Sequence, residues 1–227
     1  MPYALDPPPQ ASLPVIGGEA TFPVRRVYCC GLNYARHARE MGIDATQPPI
    51  FFLKPADNVI NEGGRVPYPP ATEDLQYEIE LVVAIARGGR DISPANAPDH
   101  VFGYAAGIDL TRRDRQRDAQ ASRMPWEASK TFDAAAPVSA IRPVADTGHP
   151  AAGRIWLAVD GETRQESDIA DMIWPVPQVI AHLSTLFTLA PGDLLFTGTP
   201  EGVGPVSRGQ RITGGVDGVG ELAVEIV

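Results

Sequence analysis

The sequence has few cysteines, few aromatic residues, no excess of positive charge and no long hydrophobic run. Its 227 residues include only two cysteines, Cys29 and Cys30. Adjacent residues of a strand point to opposite faces, so this pair predicts neither a disulfide framework nor a thiolate metal site. We expect both thiols to be reduced and buried.

The charge balance is acidic, with 19 lysines and arginines against 28 aspartates and glutamates and a net charge of -9. Such a chain is a poor match to nucleic acid or to an anionic membrane, so we expect a small-molecule partner. The opening MPYALDPPPQASLPVIGG lacks the basic start and apolar run of a secretory signal, and no stretch approaches a membrane-spanning length. These features predict a cytoplasmic protein.

Glycine and proline are abundant, with 22 and 23 residues spread along the chain as turns between short apolar runs. A hydrophobic content of 44% is enough for one sizeable core. We expect an irregular arm over residues 1–20 and one domain over residues 21–227. Strand-like runs dominate without regular alternation with helices, which predicts an α+β, mostly β fold with mixed, mostly antiparallel sheets and a few short helices.

Two short helices and one hairpin stand out within this pattern. Asn33 is placed to cap a helix that carries apolar residues from Tyr34 to Met41 and ends at Gly42. The stretch TRRDRQRDAQA predicts a second helix with Thr111 at its cap and an acid, Asp114, in its first turn.

An Asp-Gly pair, Asp160 and Gly161, separates two strand-like runs. This pair is the strongest short signal for a β-hairpin.

The stretch LQYEIELVV alternates apolar residues at odd positions with Gln76, Glu78 and Glu80 at even ones. This period predicts a strand with one buried face. Same-face neighbours lie roughly 7 Å apart, so the two carboxylates repel unless they are solvated or joined by a cation. The pattern by itself leaves a solvated outer face and a cation site both open.

A third acid, Asp109, ends the apolar run VFGYAAGIDL, where an unpaired buried carboxylate would be costly. Three acids in apolar settings indicate a hard cation. Oxygen ligands suit Mg²⁺ or Mn²⁺, with water or substrate at the remaining coordination positions.

Two further groups accompany the acids. His37 and Glu40 are three residues apart on the first helix, which is the spacing of a base with its orienting carboxylate and equally of a surface ion pair. The run from Arg112 to Lys130 is rich in cationic and amide side chains, which suits either a solvated helix face or an anionic ligand.

The glycine-rich loop TGTPEGVG invites a phosphate-binding interpretation, but it has no lysine. The Walker pattern is therefore excluded.

Six ordered motifs, GLNYARHAREMG, FFLKP, YEIELVV, GYAAGIDLTRRDRQ, PWEASKTFDAAAPVS and GDLLFTGTPEGVGPV, resemble the fumarylacetoacetate hydrolase family. The resemblance extends from about Val27 to Val227 and is closest to the small acylpyruvate hydrolases, among them the fumarylpyruvate hydrolases. It implies a mixed β-sheet roll or barrel-like fold, one Mg²⁺ or Mn²⁺ per chain, a homodimer and a diketo-acid substrate. The implied activity is hydrolysis of a carbon–carbon bond in an acylpyruvate, with fumarylpyruvate giving fumarate and pyruvate.

The resemblance also implies roles for individual residues. Glu78, Glu80 and Asp109 would be the metal ligands, and His37 with Glu40 would be the water-activating dyad. Lys130 and Gln116 would make catalytic or oxyanion contacts. The substrate contacts would be Arg113, Thr199 and Gly198. One departure is Leu32, where the family more often has arginine. We further expect at least one of Arg115, Arg117 and Arg123 to reach the remote carboxylate of fumarylpyruvate.

Three other functions are compatible with parts of this pattern. The same metal cradle would serve an oxaloacetate decarboxylase or a diketo-acid isomerase. A glycosidase using Glu78 and Glu80 would need sugar-stacking aromatics, but aromatic residues make up only 7% of the chain. A non-catalytic, metal-stabilised binding module is the alternative outside enzymology.

Overall fold

The computed structural model describes residues 3–40 and 48–227, which fold mainly into strands. In chain order the strands are β1 (Ser12–Pro14), β2 (Thr21–Pro23), β3 (Arg26–Gly31), β4 (Ile50–Lys54), β5 (Val59–Asn61), β6 (Arg65–Val66), β7 (Leu75–Tyr77), β8 (Ile79–Ile85), β9 (Val101–Ile108), β10 (Thr111–Arg112), β11 (Ala136–Val138), β12 (Arg142–Pro143), β13 (Arg154–Val159), β14 (Glu162–Asp168), β15 (Asp193–Phe196), β16 (Gly204–Pro205), β17 (Arg211–Val216) and β18 (Gly220–Ile226).

Helices are few and short. They are α1 (Ala35–Glu40), α2 (Arg113–Ala121), α3 (Glu127–Lys130), α4 (Val144–Thr147) and α5 (Val176–Leu186), with 3₁₀ turns at Ala56–Asn58, Ala97–His100 and Ile169–Asp171. The prediction of a mostly β fold with a few short helices is confirmed. Across the described ranges, no helix combines the length and the apolar character needed to cross a membrane.

The strands form a curled, half-barrel arrangement of sheets. The largest sheet has the order β4-β3-β15-β8-β9-β11-β5, with β12 paired to β9, and a five-stranded sheet has the order β14-β13-β17-β18-β6. Most pairs are antiparallel, whereas β3 with β15, β5 with β11 and β6 with β18 are parallel. The predicted mixed, mostly antiparallel architecture is therefore confirmed.

The glutamate-bearing strand differs from its prediction. It is divided at Glu78 into β7 and β8, and every residue of β8 is buried. The odd residues of β8 pack in one apolar cluster, while Val82 and Ala84 pack in a second cluster on the other side of the sheet. The prediction of a single buried face was wrong, because elements cover both faces of the sheet.

The local predictions had mixed outcomes. Asp160 and Gly161 join β13 to β14 with positive φ angles of 51° and 84°, so the hairpin is confirmed. Helix α2 has Asp114 in its first turn as expected, but Arg112 and not Thr111 occupies its cap position. Thr111 lies in β10 and its hydroxyl donates to Glu78 Oε1 at 3.3 Å.

Asn33 was also wrongly predicted as a helix cap. Its side-chain amide donates to the carbonyls of Trp174 and Thr197, and its Oδ1 accepts from the Trp174 amide. The predictions for Met41 and Gly42 concern residues outside the described ranges.

The division into an arm over residues 1–20 and a domain over residues 21–227 stays a prediction. Strand β1 of that arm pairs with β2, which lies in the predicted domain, and Leu13 of β1 is fully buried.

Candidate metal centre and active site

Strand pairing brings the three predicted metal ligands together. In the antiparallel pairing of β8 with β9, Glu80 lies opposite Gly107. The backbone amide of Asp109, just beyond β9, donates to the Glu78 carbonyl at 2.8 Å. One oxygen from each of the three carboxylates lies within 4.8 Å of the others, and all three side chains are buried.

Buried cations surround this carboxylate cluster. Lys130 Nζ donates to Glu78 Oε2 at 2.8 Å and to Asp109 Oδ2 at 2.7 Å. Arg113 Nη2 donates to Glu78 Oε1. Lys54 Nζ lies 2.8 Å from Asp109 Oδ1, and it donates to the Leu110 and Lys130 carbonyls.

The two glutamates of the cluster have pKa values shifted in opposite directions. Burial alone would raise the pKa of Glu78, but the charges of Lys130 and Arg113 outweigh it and hold that pKa well below its usual range. Burial, and next the carboxylates of Asp109 and Glu78, raise the pKa of Glu80 well above its usual value. Burial would lower the pKa of Lys130, but Asp109 and Glu78 raise it, so this lysine stays charged.

Glu80 shows that the donor set fits a metal ion. Its side chain is only 2% exposed, and its one hydrogen bond from the described residues comes from the Gly198 amide, 2.6 Å from Oε2. A buried carboxylate next to two others is costly unless a cation neutralises it. Three carboxylates are the hard oxygen donors that divalent cations such as Mg²⁺ prefer. Glu78, Glu80 and Asp109 would hold the ion.

His37 of the predicted dyad lines the same cavity as the carboxylate cluster, and Glu40 lies behind it. His37 is buried on α1, with Nδ1 3.4 Å from Glu40 Oε2. The other oxygen of Glu40, Oε1, accepts from the Gly202 amide at 3.2 Å. This cavity, of about 80 Å³, is lined by His37, the three acids, Arg113 and Lys130 among others.

The remaining predicted contacts lie at or beside this cavity. Gln116 and Thr199 line it, and Gln116 Oε1 accepts from Arg113 Nη1. Gly198 does not contribute to the lining, and its amide is used by Glu80. Its φ of +99° and the 2.6 Å that would separate an added Cβ from the Asn33 Cβ require glycine here. The assigned roles of these residues stay predictions.

Leu32, the departure from the family pattern, is half-buried in the cavity wall. The arginines expected to reach a remote carboxylate are placed differently. Arg115 Nε donates to the Ala71 carbonyl at 2.6 Å and Arg117 pairs with Asp74 at 2.8 Å. Among the described residues, the cations that line the cavity are Arg113 and Lys130, so this expectation lacks support from the geometry.

Sequence reasoning missed three residues that position the site. Lys54 is 1% exposed and neutralises Asp109. Gln165 donates to Thr199 Oγ1 at 2.9 Å and accepts from the Ile79 amide at 3.0 Å. Asn33 ties the segment before α1 to Thr197. A usable signal existed only for Lys54, because the chain has just two lysines and the other is Lys130.

Comparison with known proteins decides the family. The family model described as fumarylacetoacetate (FAA) hydrolase C-terminal matches residues 26–227. The chain belongs to the fumarylacetoacetate hydrolase family. The resemblance seen in the sequence is therefore confirmed. The enzymes of this family include hydrolases, isomerases and decarboxylases.

Relatives of this family member differ in their activities. The crystal structure of fumarylpyruvate hydrolase from Pseudomonas aeruginosa, in complex with Mn²⁺ and pyruvate, is 51% identical, with a TM-score of 0.97 over 100% of this chain and 99% of that one. A mitochondrial oxaloacetate tautomerase from Arabidopsis thaliana is 41% identical over 201 residues, covering 88% of this chain and 90% of the relative. A mitochondrial oxaloacetate decarboxylase from Dictyostelium discoideum is 39% identical over 196 residues, 86% and 90% of the two chains.

Proposed function

We propose that this family member is a divalent-metal-dependent hydrolase that cleaves a carbon–carbon bond in an acylpyruvate, with fumarylpyruvate as the preferred substrate and Mg²⁺ or Mn²⁺ as the metal. The observation that carries the proposal is the position of His37, which lines the same cavity as the three acids and has Glu40 beside its Nδ1. A hydrolase needs a base beside its electrophilic centre, and this pair supplies one. The 51% identity to a fumarylpyruvate hydrolase supports the choice of substrate.

The dyad defines the first step. With its proton on Nδ1 and directed to Glu40, the imidazole has Nε2 available to take a proton from water. The water oxygen bonds to the acyl carbonyl carbon, and the bond from that carbon to the methylene group then breaks. The electron pair leaves as the pyruvate enolate, which takes up a proton at carbon to give pyruvate.

The neighbouring side chains assist the charge changes in this step. Gln116 lines the cavity one helical turn after Arg113, and Lys130 keeps its positive charge at the cluster. Preorganised donors of this kind stabilise an oxyanion as it forms. When bound, the divalent cation supplies electrostatic stabilisation to the negative charge of the departing enolate.

Charge balance supports a dianionic substrate. The three acids of the cluster are matched by three buried cations, Lys54, Arg113 and Lys130. A divalent metal would add two positive charges, and a keto acid with two carboxylates would neutralise them. Fumarylpyruvate and oxaloacetate both carry two carboxylates, so charge balance favours the two substrates equally.

An oxaloacetate tautomerase or decarboxylase is the second candidate, favoured by the similarity to curated enzymes with those activities. Both reactions need stabilisation of an enolate but no hydrolytic water. In these reactions the dyad would contribute less to the rate, or it would transfer a proton to and from the carbon beside the keto group.

The deciding experiment supplies purified protein and Mg²⁺ or Mn²⁺ with fumarylpyruvate, acetylpyruvate and oxaloacetate in parallel. We expect pyruvate and fumarate from fumarylpyruvate with the highest kcat/KM of the three. A higher kcat/KM for enol–keto exchange or decarboxylation of oxaloacetate would contradict the hydrolase proposal. Metal-dependent stabilisation without any turnover would favour the binding module.

We also propose a homodimer in the cytoplasm, with no nucleic-acid or membrane partner, as the sequence predicts. Light scattering on the purified protein and fractionation of the producing cells test these two statements. A monomer in solution or a membrane-bound fraction would contradict them.

A further inference from the structure

One face of α2 leads outward from the carboxylate cluster. Arg113, Gln116 and Gln120 are spaced at i, i+3 and i+7, and all three line the catalytic cavity. Arg113 and Gln116 are buried, whereas Gln120 is exposed. At 1.5 Å of rise per residue, this face extends about 10 Å from Arg113 to Gln120. The helix therefore carries a row of donors from the metal end of the cavity to its mouth.

The proposed substrate spans most of this row. In fumarylpyruvate, five carbon–carbon bonds separate the keto carbon beside the first carboxylate from the second carboxylate. At about 1.5 Å per bond, an extended chain of this kind spans about 6 Å. If the keto-acid end occupies the cluster, the remote carboxylate stops about 4 Å short of the Gln120 backbone along the helix axis. The Gln120 side chain tilts towards the N-terminus of α2 and can cover that distance.

Among the described residues, the more exposed side chains that line the cavity are apolar apart from this glutamine. Leu32, Ile50 and Trp126 line it, and Trp126 packs edge-on against Phe52 with 5.0 Å between ring centroids. Arg115 and Arg117 are engaged with the segment 71–74 outside the cavity. Within the part of the chain that the structure describes, Gln120 is the polar lining residue beyond Gln116 on this helix.

We propose that Gln120 determines the specificity for the acyl group by donating a hydrogen bond from its side-chain amide to the remote carboxylate, while Leu32, Ile50 and Trp126 contact the unsaturated carbons between. This inference rests on the proposed hydrolase function and names a contact within that site. A carboxylate at the end of a substrate is often bound by an arginine, but the side chain proposed for this contact is a neutral amide. Selection for the dianion is thus made by one hydrogen bond to a charged acceptor, whose loss costs roughly 10-fold or more in affinity.

The test compares fumarylpyruvate with acetylpyruvate, which lacks the remote carboxylate, in the Mn²⁺-loaded wild type and in three variants. Gln120→Leu should lower kcat/KM for fumarylpyruvate roughly 10-fold or more and leave acetylpyruvate within about threefold. Gln120→Arg should raise the preference for fumarylpyruvate. Arg117→Ala, on the same helix but outside the cavity, is the matched control and should leave the preference unchanged.

Product inhibition adds a second measurement. Inhibition by fumarate should weaken in Gln120→Leu, whereas inhibition by pyruvate should stay at the wild-type value. Unchanged preference and unchanged fumarate inhibition in both Gln120 variants, with hydrolysis retained, would overturn the inference.

The two proposals fail in distinguishable ways. If the wild type hydrolyses no acylpyruvate, the proposed function is wrong, and calorimetric binding of fumarate to the Mn²⁺-loaded protein then tests the contact itself. Weaker fumarate binding in Gln120→Leu than in Arg117→Ala supports the contact, and equal binding overturns it.

Discussion

The Glu40 carboxylate accepts a hydrogen bond from the backbone amide of Gly202, with 3.2 Å between Gly202 N and Glu40 Oε1. The other oxygen of Glu40 lies 3.4 Å from His37 Nδ1. The Glu40 side chain is 43% exposed and is therefore not fixed by packing alone. Its hydrogen bond to the glycine-rich loop holds the carboxylate beside the imidazole. The loop that resembles a phosphate-binding motif in sequence thus positions the proposed base.

The dyad can be tested by removing the imidazole of His37 and, separately, by removing the charge of Glu40 while keeping its shape. Glu40→Gln and His37→Ala should each lower kcat for an acylpyruvate by roughly 10²- to 10⁴-fold, the range of general-base catalysis. Metal affinity should stay near the wild-type value, because neither residue belongs to the carboxylate cluster. Single-turnover kinetics on fumarylpyruvate and oxaloacetate measure the chemical step, and an equal loss on both substrates would show that the dyad does not act through water.

Glu80→Gln tests the metal site. We expect a large loss of Mn²⁺ affinity by calorimetry, since the variant lacks a charged ligand. In the presence of a chelator the variant should be no less stable than wild type in denaturant unfolding, because the repulsion among three buried carboxylates is reduced. Exposed Glu221→Gln is the control, and wild-type Mn²⁺ affinity in Glu80→Gln would disprove the ligand assignment.

Lys54→Met tests the buried cation that neutralises Asp109. The substitution removes the ion pair with the Asp109 carboxylate and the hydrogen bonds to two backbone carbonyls, so it should destabilise the metal-free protein by about 3–5 kcal/mol. Bound Mn²⁺ should restore part of that stability, since it places positive charge near the same carboxylate. Chemical unfolding with and without Mn²⁺ measures both effects, and a loss below about 1 kcal/mol would show that the pair contributes little.

Gly198→Ala tests the close approach of the TGTP loop to Asn33. Its matched control is Gly209→Ala, because Gly209 also has a positive φ, of +84°, but nothing within 4 Å of an added Cβ. Both variants carry the cost of a left-handed alanine, about 1–2 kcal/mol. Gly198→Ala should cost more and should also weaken Mn²⁺ binding, since its amide bonds to Glu80. Equal stability and equal Mn²⁺ affinity in the two variants would show that the close approach of Gly198 to Asn33 has no effect on either property.

Part of the site was predictable because its residues are local in sequence. His37 with Glu40, and Glu78 with Glu80, are pairs whose spacing on a helix or strand can be recognised directly. The periodicity of LQYEIELVV also indicated correctly that its odd positions are buried. It could not indicate that Val82 and Ala84 are buried too, because packing on the second face comes from other parts of the chain.

The roles of polar residues within turns were harder to predict. Asn33 and Thr111 have the side chains of helix caps, and sequence rules assign them to that role. In the fold, Asn33 bonds to Trp174 and Thr197, and Thr111 to Glu78. Buried polar groups that water cannot reach need a hydrogen-bond partner from the protein. Asn33 and Thr111 serve such groups, and these groups belong to residues distant in sequence.

The sequence by itself determined the mostly β class, the hairpin at Asp160, the three acids in apolar settings and, through its ordered motifs, the family. Only the tertiary structure decided which cations neutralise those acids, which residues hold Thr199 and Glu40, and which helix face lines the cavity. Pairs such as Lys54 with Asp109 are separated by many residues, and three strands lie between β4 and β9 in the sheet, so the two side chains come together only because the sheet curls. Local spacing carries information about secondary structure, whereas the balance of charge in a buried site depends on contacts that strand order creates.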